Sequence, residues 1–241
     1  MKSGGVDNLL VASRSSPSLG PGKGDWTSTT HRLRLMTKLS VADIKADTHY
    51  QLLTELGHKD LAPFCATFYW RERSWLTWSH CAFSLALWVF WIEMGIQQQL
   101  ALSTWMVSFG YAVICFVVLV PFHEALHGLV YKAIGATDVR YNISLRQFYA
   151  YAIAHNFVAD HRQFAWVALA PFLVISMLLV MAAAFWPPLR FVLVGTLLVH
   201  TAGTSGDFAM LNYLWLNRHQ EVFTYDDAVS HTSYFYGRQK E

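Results

Sequence analysis

Four long apolar stretches dominate this chain, and few environments other than a lipid bilayer can accommodate them. They run from about Trp75 to Ile96, from Leu100 to about Phe122 and onward, from Phe164 to Trp186, and from Leu189 to about Leu216. A spanning helix needs about 20 mostly apolar residues, each advancing about 1.5 Å across a hydrocarbon core about 30 Å thick. The carboxylates within or at the ends of these stretches are Glu93, Glu124 and Asp207. Composition excludes the main alternatives. With 54% hydrophobic and only 14% charged residues, the chain carries too much apolar surface for disorder over its whole length. A net charge of +2 without a basic stripe gives no footprint for nucleic acid. Cys65, Cys81 and Cys115 are too few and too scattered for a disulfide scaffold or a cysteine zinc site.

The expected fold class is therefore an all-α polytopic membrane protein. It has four transmembrane helices and a short membrane-associated β-hairpin between the second and third. Residues 1–40, rich in Ser, Gly, Thr and basic residues, are expected to be a disordered tail. Residues 41–74 form a juxtamembrane segment, with an amphipathic helix between Val41 and Gly57 and a break at Pro63. The core domain spans 75–220, and 221–241 reads as a polar tail in which Asp226 and Asp227 are solvated. With four spans, 17 of the 18 Lys and Arg residues fall on one side and only Arg190 on the other. The positive-inside rule then places both termini in the cytoplasm.

The second stretch ends in His123-Glu124-Ala125-Leu126-His127. Residues four apart share a helix face, so both imidazoles can meet one ion at the about 2.0–2.1 Å that zinc prefers. Glu124, beside the first imidazole, is placed to act as general base toward water at the ion rather than as a ligand. The alternative is a polar helix end at headgroup level. The cost of ionisable groups inside a span favours a functional role.

Catalytic zinc normally takes three protein ligands. The fourth stretch offers two candidates for the third. Asp207 is a carboxylate in an otherwise apolar segment, at a depth matching that of His123. His200 lies two turns away and about 10.5 Å deeper. It shares an ion with Asp207 only if Gly203-Thr204-Ser205-Gly206 breaks the helix. Asp207 is the expected ligand, and His200 the alternative ligand or a residue supporting the pocket. The same glycines would let this helix pack closely on the second or unwind locally. Zn2+ is the expected metal, although two imidazoles and a carboxylate also suit iron or cobalt.

Between the second and third spans, residues 139–145 and 148–153 alternate in the manner of strands. A hairpin there would lie near the histidines and could bind an extended peptide along its edge. Tyr149, Tyr151 and His155 are its candidate substrate-binding residues, with an interfacial aromatic belt as the alternative.

Three segments together, His123 to His127, Ala168-Leu169-Ala170-Pro171-Phe172, and His200 to Asp207, resemble a bacterial family of zincin-type membrane peptidases. That family is similar to the site-2 proteases, which are intramembrane zinc metalloproteases. The resemblance covers roughly residues 75–220. It implies a zinc ion held by His123, His127 and Asp207, with Glu124 activating water. It also implies a three-helix catalytic core with a substrate-binding strand element between the first two core helices. Site-2 proteases usually carry N-x-x-P-x-x-x-L-D-G around the third ligand, whereas here Gly203-Thr204-Ser205-Gly206 precedes Asp207 and Phe208 follows it. The implied activity is hydrolysis of membrane-anchored proteins near the cytoplasmic face of a bacterial inner membrane. The implied partners are a membrane-protein substrate and the lipid bilayer, without nucleic acid; nothing in the sequence specifies an oligomeric state. A non-catalytic zinc-binding scaffold is the alternative, ahead of a metal transporter, which would need ligands at several depths.

Overall fold

The structure, a computed structural model, describes residues 39–144 and 149–239; the expected N-terminal tail lies outside the described residues apart from its last two positions. Among the described residues, three helices are long and apolar enough to cross a membrane: α3 (Trp75–Gln97), α4 (Leu102–Ala133) and α5 (His161–Phe185). Their apolar side chains point mostly outward. Only 11% of the apolar window of α4 is buried inside the protein, an outward apolar surface compatible with a bilayer. Caps set the helix limits. Ser74 accepts from the Leu76 N–H at the start of α3, and Asp160 accepts from the Arg162 and Gln163 N–H groups at the start of α5. At the end of α4, Gly135 adopts φ 96°, the left-handed conformation that closes a helix at least cost.

The fourth apolar stretch is not one spanning helix. It is divided at Thr204 into α6 (Arg190–Gly203) and α7 (Ser205–Leu216). Gly203 faces the Phe116 ring of α4, whose nearest carbon would lie 2.7 Å from any added Cβ. The close approach of α6 to α4 therefore depends on that glycine. α6 also packs against α3 and α5, and at the end remote from Thr204 Trp91 stacks on Phe191 at 4.7 Å.

Nor is the protein all-α. The expected hairpin region forms β2 (Val139–Ser144) paired with β3 (Tyr149–Ala154), but a second, four-stranded antiparallel sheet accompanies it. Its order is β1 (Tyr50–Gly57), β6 (Thr232–Gln239), β5 (Gln220–Asp227) and β4 (Ala159–Asp160). The expected amphipathic helix from Val41 to Gly57 is thus a short α1 (Val41–Ala46) followed by β1. The segment read as a polar tail supplies two strands, and Asp226 within it is only 7% exposed, not solvated. Tertiary pairing decides both differences. Tyr50 lies opposite Arg238 in the register, a contact between distant parts of the chain that satisfies backbone groups no local pattern identifies. The sheet packs on the helices through Leu56, Val222 and Phe235 against Tyr213 and Leu214 of α7, with Phe64 and Phe68 from α2 (Leu61–Ala66) and the turn after it. Because β4 runs directly into α5 and pairs with β5, α6 and α7 together return the chain to the end at which α5 begins.

Candidate metal centre

His123, Glu124 and His127 occupy the last third of α4, and α7 brings Asp207 against them. The Nε2 atoms of His123 and His127 lie 3.1 Å apart. Asp207 places its two oxygens 3.3 Å from the first and 3.4 Å from the second. Ligand atoms about 2.0–2.1 Å from a tetrahedral zinc are separated by about 3.3–3.4 Å, and each of these spacings is close to that, the carboxylate meeting the two histidines through different oxygens. The proton positions point the same way. His127 Nδ1 lies 2.7 Å from the Val167 carbonyl, which can only accept, so Nδ1 carries a proton and Nε2 is the nitrogen turned toward His123 and Asp207. Two imidazole nitrogens and a carboxylate facing one another are held together by a shared positive charge, which a metal ion can supply.

Glu124 sits beside this triangle. Its ligand atom lies within 4.8 Å of those of both histidines, close enough to join them around one ion or to act as a base beside it. Its carboxylate accepts from the backbone N–H of Ala152 in β3, while Oε2, though buried, has no hydrogen-bond partner. One carboxylate oxygen is therefore held by the hairpin and the other is free to handle a proton.

The His123 ring centre lies 5.7 Å from that of His200. His200 is fully buried on α6 with neither ring nitrogen hydrogen bonded. The interruption at Thr204 brings it and Asp207 to the same neighbourhood, but the carboxylate reaches the two Nε2 atoms and His200 stands behind His123.

Two residues that the sequence reading passed over fix this arrangement. His80 of α3 accepts from the Tyr69 hydroxyl at Nδ1 (2.5 Å) and donates from Nε2 to Thr204 Oγ1 (3.2 Å); the Thr204 hydroxyl in turn donates to the Thr201 carbonyl (2.8 Å). His80 also lies over the Phe208 ring at 4.0 Å. The junction between α6 and α7, and with it Asp207, is thus pinned from α3. An ionisable residue inside an apolar helix was the available signal for His80. His58 follows β1 and bonds the Tyr151 hydroxyl through Nδ1 (3.0 Å).

The centre opens into a cavity of about 950 Å³ lined by Glu124, Asp207, Tyr151, His58 and Asp226 among others. Tyr151 thus reaches the site. Tyr149 pairs with Ser144 in the hairpin register, and its side chain lies outside the described residues. His155 does not line the cavity among the described residues. Its Nδ1 accepts the Ala228 N–H at 3.1 Å, which ties the hairpin to the β5–β6 turn. Cys65 also lines the cavity, but burial pushes its thiol up to about 12, so it is no thiolate nucleophile at neutral pH.

Residues 116–221 match the model of a family, DUF3267, described as "Putative zincin peptidase". The match supports a zincin-type metallopeptidase, and that class implies zinc. It contains both histidines, Glu124, Pro171, His200 and Asp207, and excludes α3 and β1. No curated protein and no solved structure matches the chain.

Proposed function

We propose that this protein is a membrane-embedded zinc metalloprotease that hydrolyses membrane-anchored proteins near the cytoplasmic face, in the manner of site-2 proteases. The observation that carries the proposal is the convergence of His123, His127 and Asp207 on one point with Glu124 alongside. Those three residues would hold the zinc. When bound, zinc supplies Lewis acidity that polarises a scissile carbonyl and acidifies water. Glu124 takes the proton of the attacking water on its free oxygen and passes it to the leaving amine. Ala152 keeps the Glu124 carboxylate oriented while the proton moves. The hairpin borders the same cavity, so an extended peptide laid along it passes Glu124.

The cytoplasmic placement rests on charge. Arg71, Arg73, Lys132, Arg140 and Arg162 all flank the helix ends nearest the centre, whereas Arg190 stands alone at the other end. A membrane-anchored reporter reconstituted with the full-length protein tests the activity. Glu124→Gln is expected to keep its zinc and lose about 10²–10⁴-fold in cleavage. Undiminished cleavage by that variant would remove Glu124 from its role.

A further inference from the structure

The cavity does not end at the metal centre. It also reaches the four-stranded sheet, where its wall includes Asp226, Ser233, His58 and Tyr151. Asp226 on β5 faces Ser233 on β6 in the register, and the Ser233 hydroxyl donates to one of its carboxylate oxygens. Ser233 Oγ is 3.4 Å from His58 Nε2, and His58 continues through the Tyr151 hydroxyl to the Asn142 side chain (3.0 Å). A hydrogen-bonded chain thus links Asp226 to the hairpin that holds Glu124.

Among the described residues, no Lys or Arg lines the cavity. Burial lifts the Asp226 acid to about 6, with the Ser233 hydrogen bond opposing. A carboxylate that is only 7% exposed and, among the described residues, faces hydroxyl and imidazole neighbours is costly unless a positive group is brought to it. Tyr151 on the same wall offers an aromatic ring that suits a cation as well.

We infer that Asp226, with Ser233 and His58, forms a subsite that binds a positively charged group of the peptide substrate, an ammonium or guanidinium, while the scissile bond lies at Glu124. The inference rests on the proteolytic reading and extends it to a substrate class: peptides basic at one fixed distance from the cleaved bond. The charge comes either from a Lys or Arg side chain or from a free chain terminus.

Two measurements on the full-length protein in detergent separate these possibilities. In the first, the Glu124→Gln protein is titrated with N-acetyl-lysine methylamide, norleucine methylamide and N-acetyl-norleucine methylamide. The first bears a side-chain ammonium, the second an α-ammonium and the third no charge. At least one charged probe is expected to bind at least tenfold tighter than the neutral one, and the tighter of the two identifies the source. Adding Asp226→Asn, which preserves shape, is expected to abolish the preference. Equal binding of all three probes overturns the subsite, and that comparison needs no substitution at Asp226.

In the second, wild-type and Asp226→Asn proteins cleave a library of 14-residue peptides varied at every position. Basic residues are expected at one distance from the cut for the wild type only. Cleavage without a basic preference removes the subsite and leaves the protease. Charge-selective binding without any cleavage leaves the subsite and removes the protease.

Discussion

The Nδ1 atom of His127 donates to the backbone carbonyl of Val167 across 2.7 Å, and Pro171 is the reason that carbonyl is free. In an unbroken helix the N–H of residue 171 would bond the carbonyl of residue 167, but proline has no N–H to offer. A proline inside α5 thus supplies the acceptor that orients a histidine on α4. Pro171→Ala restores the competing donor. Zinc affinity is expected to fall about tenfold, the lower end of what loss of an orienting partner costs. Thermal stability is expected to stay level or rise, because proline in a helix interior is unfavourable. Chelator competition and a melting curve on the same sample check the opposed signs.

Gly128 follows His127, and the Tyr141 hydroxyl of β2 fills the place of its missing side chain. An added Cβ would lie 2.0 Å from Tyr141 Oη and 2.7 Å from Cζ. Gly128→Ala is therefore expected to lift the hairpin from α4 and withdraw the Ala152 N–H from Glu124. Zinc content should be unchanged and cleavage reduced by about tenfold or more. Tyr141→Ala in the same chain is expected to restore part of the activity, whereas Tyr141→Phe leaves the ring in the way.

His80→Leu removes the donor to Thr204 and the acceptor for Tyr69 in a buried setting. The expected cost is about 1–3 kcal/mol of stability. Looser placement of Asp207 should accompany it, read as weaker zinc binding. A variant of wild-type stability and wild-type zinc affinity would show that His80 does not pin the α6–α7 junction.

Asp226 gives the protein a pH dependence of known sign. Its acid stands at about 6 in the fold and about 3.9 in an unfolded chain. The folded state therefore holds the proton more tightly, and stability declines as pH rises from about 4 through about 6. The whole effect is on the order of 3 kcal/mol. Tyr131, Ser233 and His58 are the polar groups around it, and burial holds His58 below its ordinary value. Without ligand, Asp226→Asn is expected to flatten the decline and raise stability at pH 8. Melting temperatures of both proteins across pH 4–8 decide it.

The His123, Glu124 and His127 cluster was legible because metal chemistry demands particular residue types at particular spacings. His123, Glu124 and His127 stand on one helix turn, and Asp207 is an acid without local reason in an apolar segment. The weak point at Gly203 to Gly206 was also visible, although its consequence, a junction that brings His200 beside His123, depends on Phe116 and His80 from other helices. The four-stranded sheet was not legible. Tyr50 to Gly57 and Thr232 to Gln239 have short, mixed patterns that become strands through pairing with each other. Asp226 looked solvated for the same reason, since its burial comes from β6 and the helix ends. Counting apolar residues also joined α6 to α7, because hydropathy does not register a junction made by side-chain packing.

Zinc stoichiometry of the detergent-purified full-length protein tests the central claim most directly, measured for wild type, His127→Ala, Asp207→Ala and His200→Ala. The account predicts about one zinc per chain in wild type and His200→Ala, and a loss of at least tenfold in affinity for the other two. Zinc retained by Asp207→Ala but lost by His200→Ala would contradict the assignment of the third ligand. No zinc in the wild type after the metal is supplied would contradict the metal centre itself.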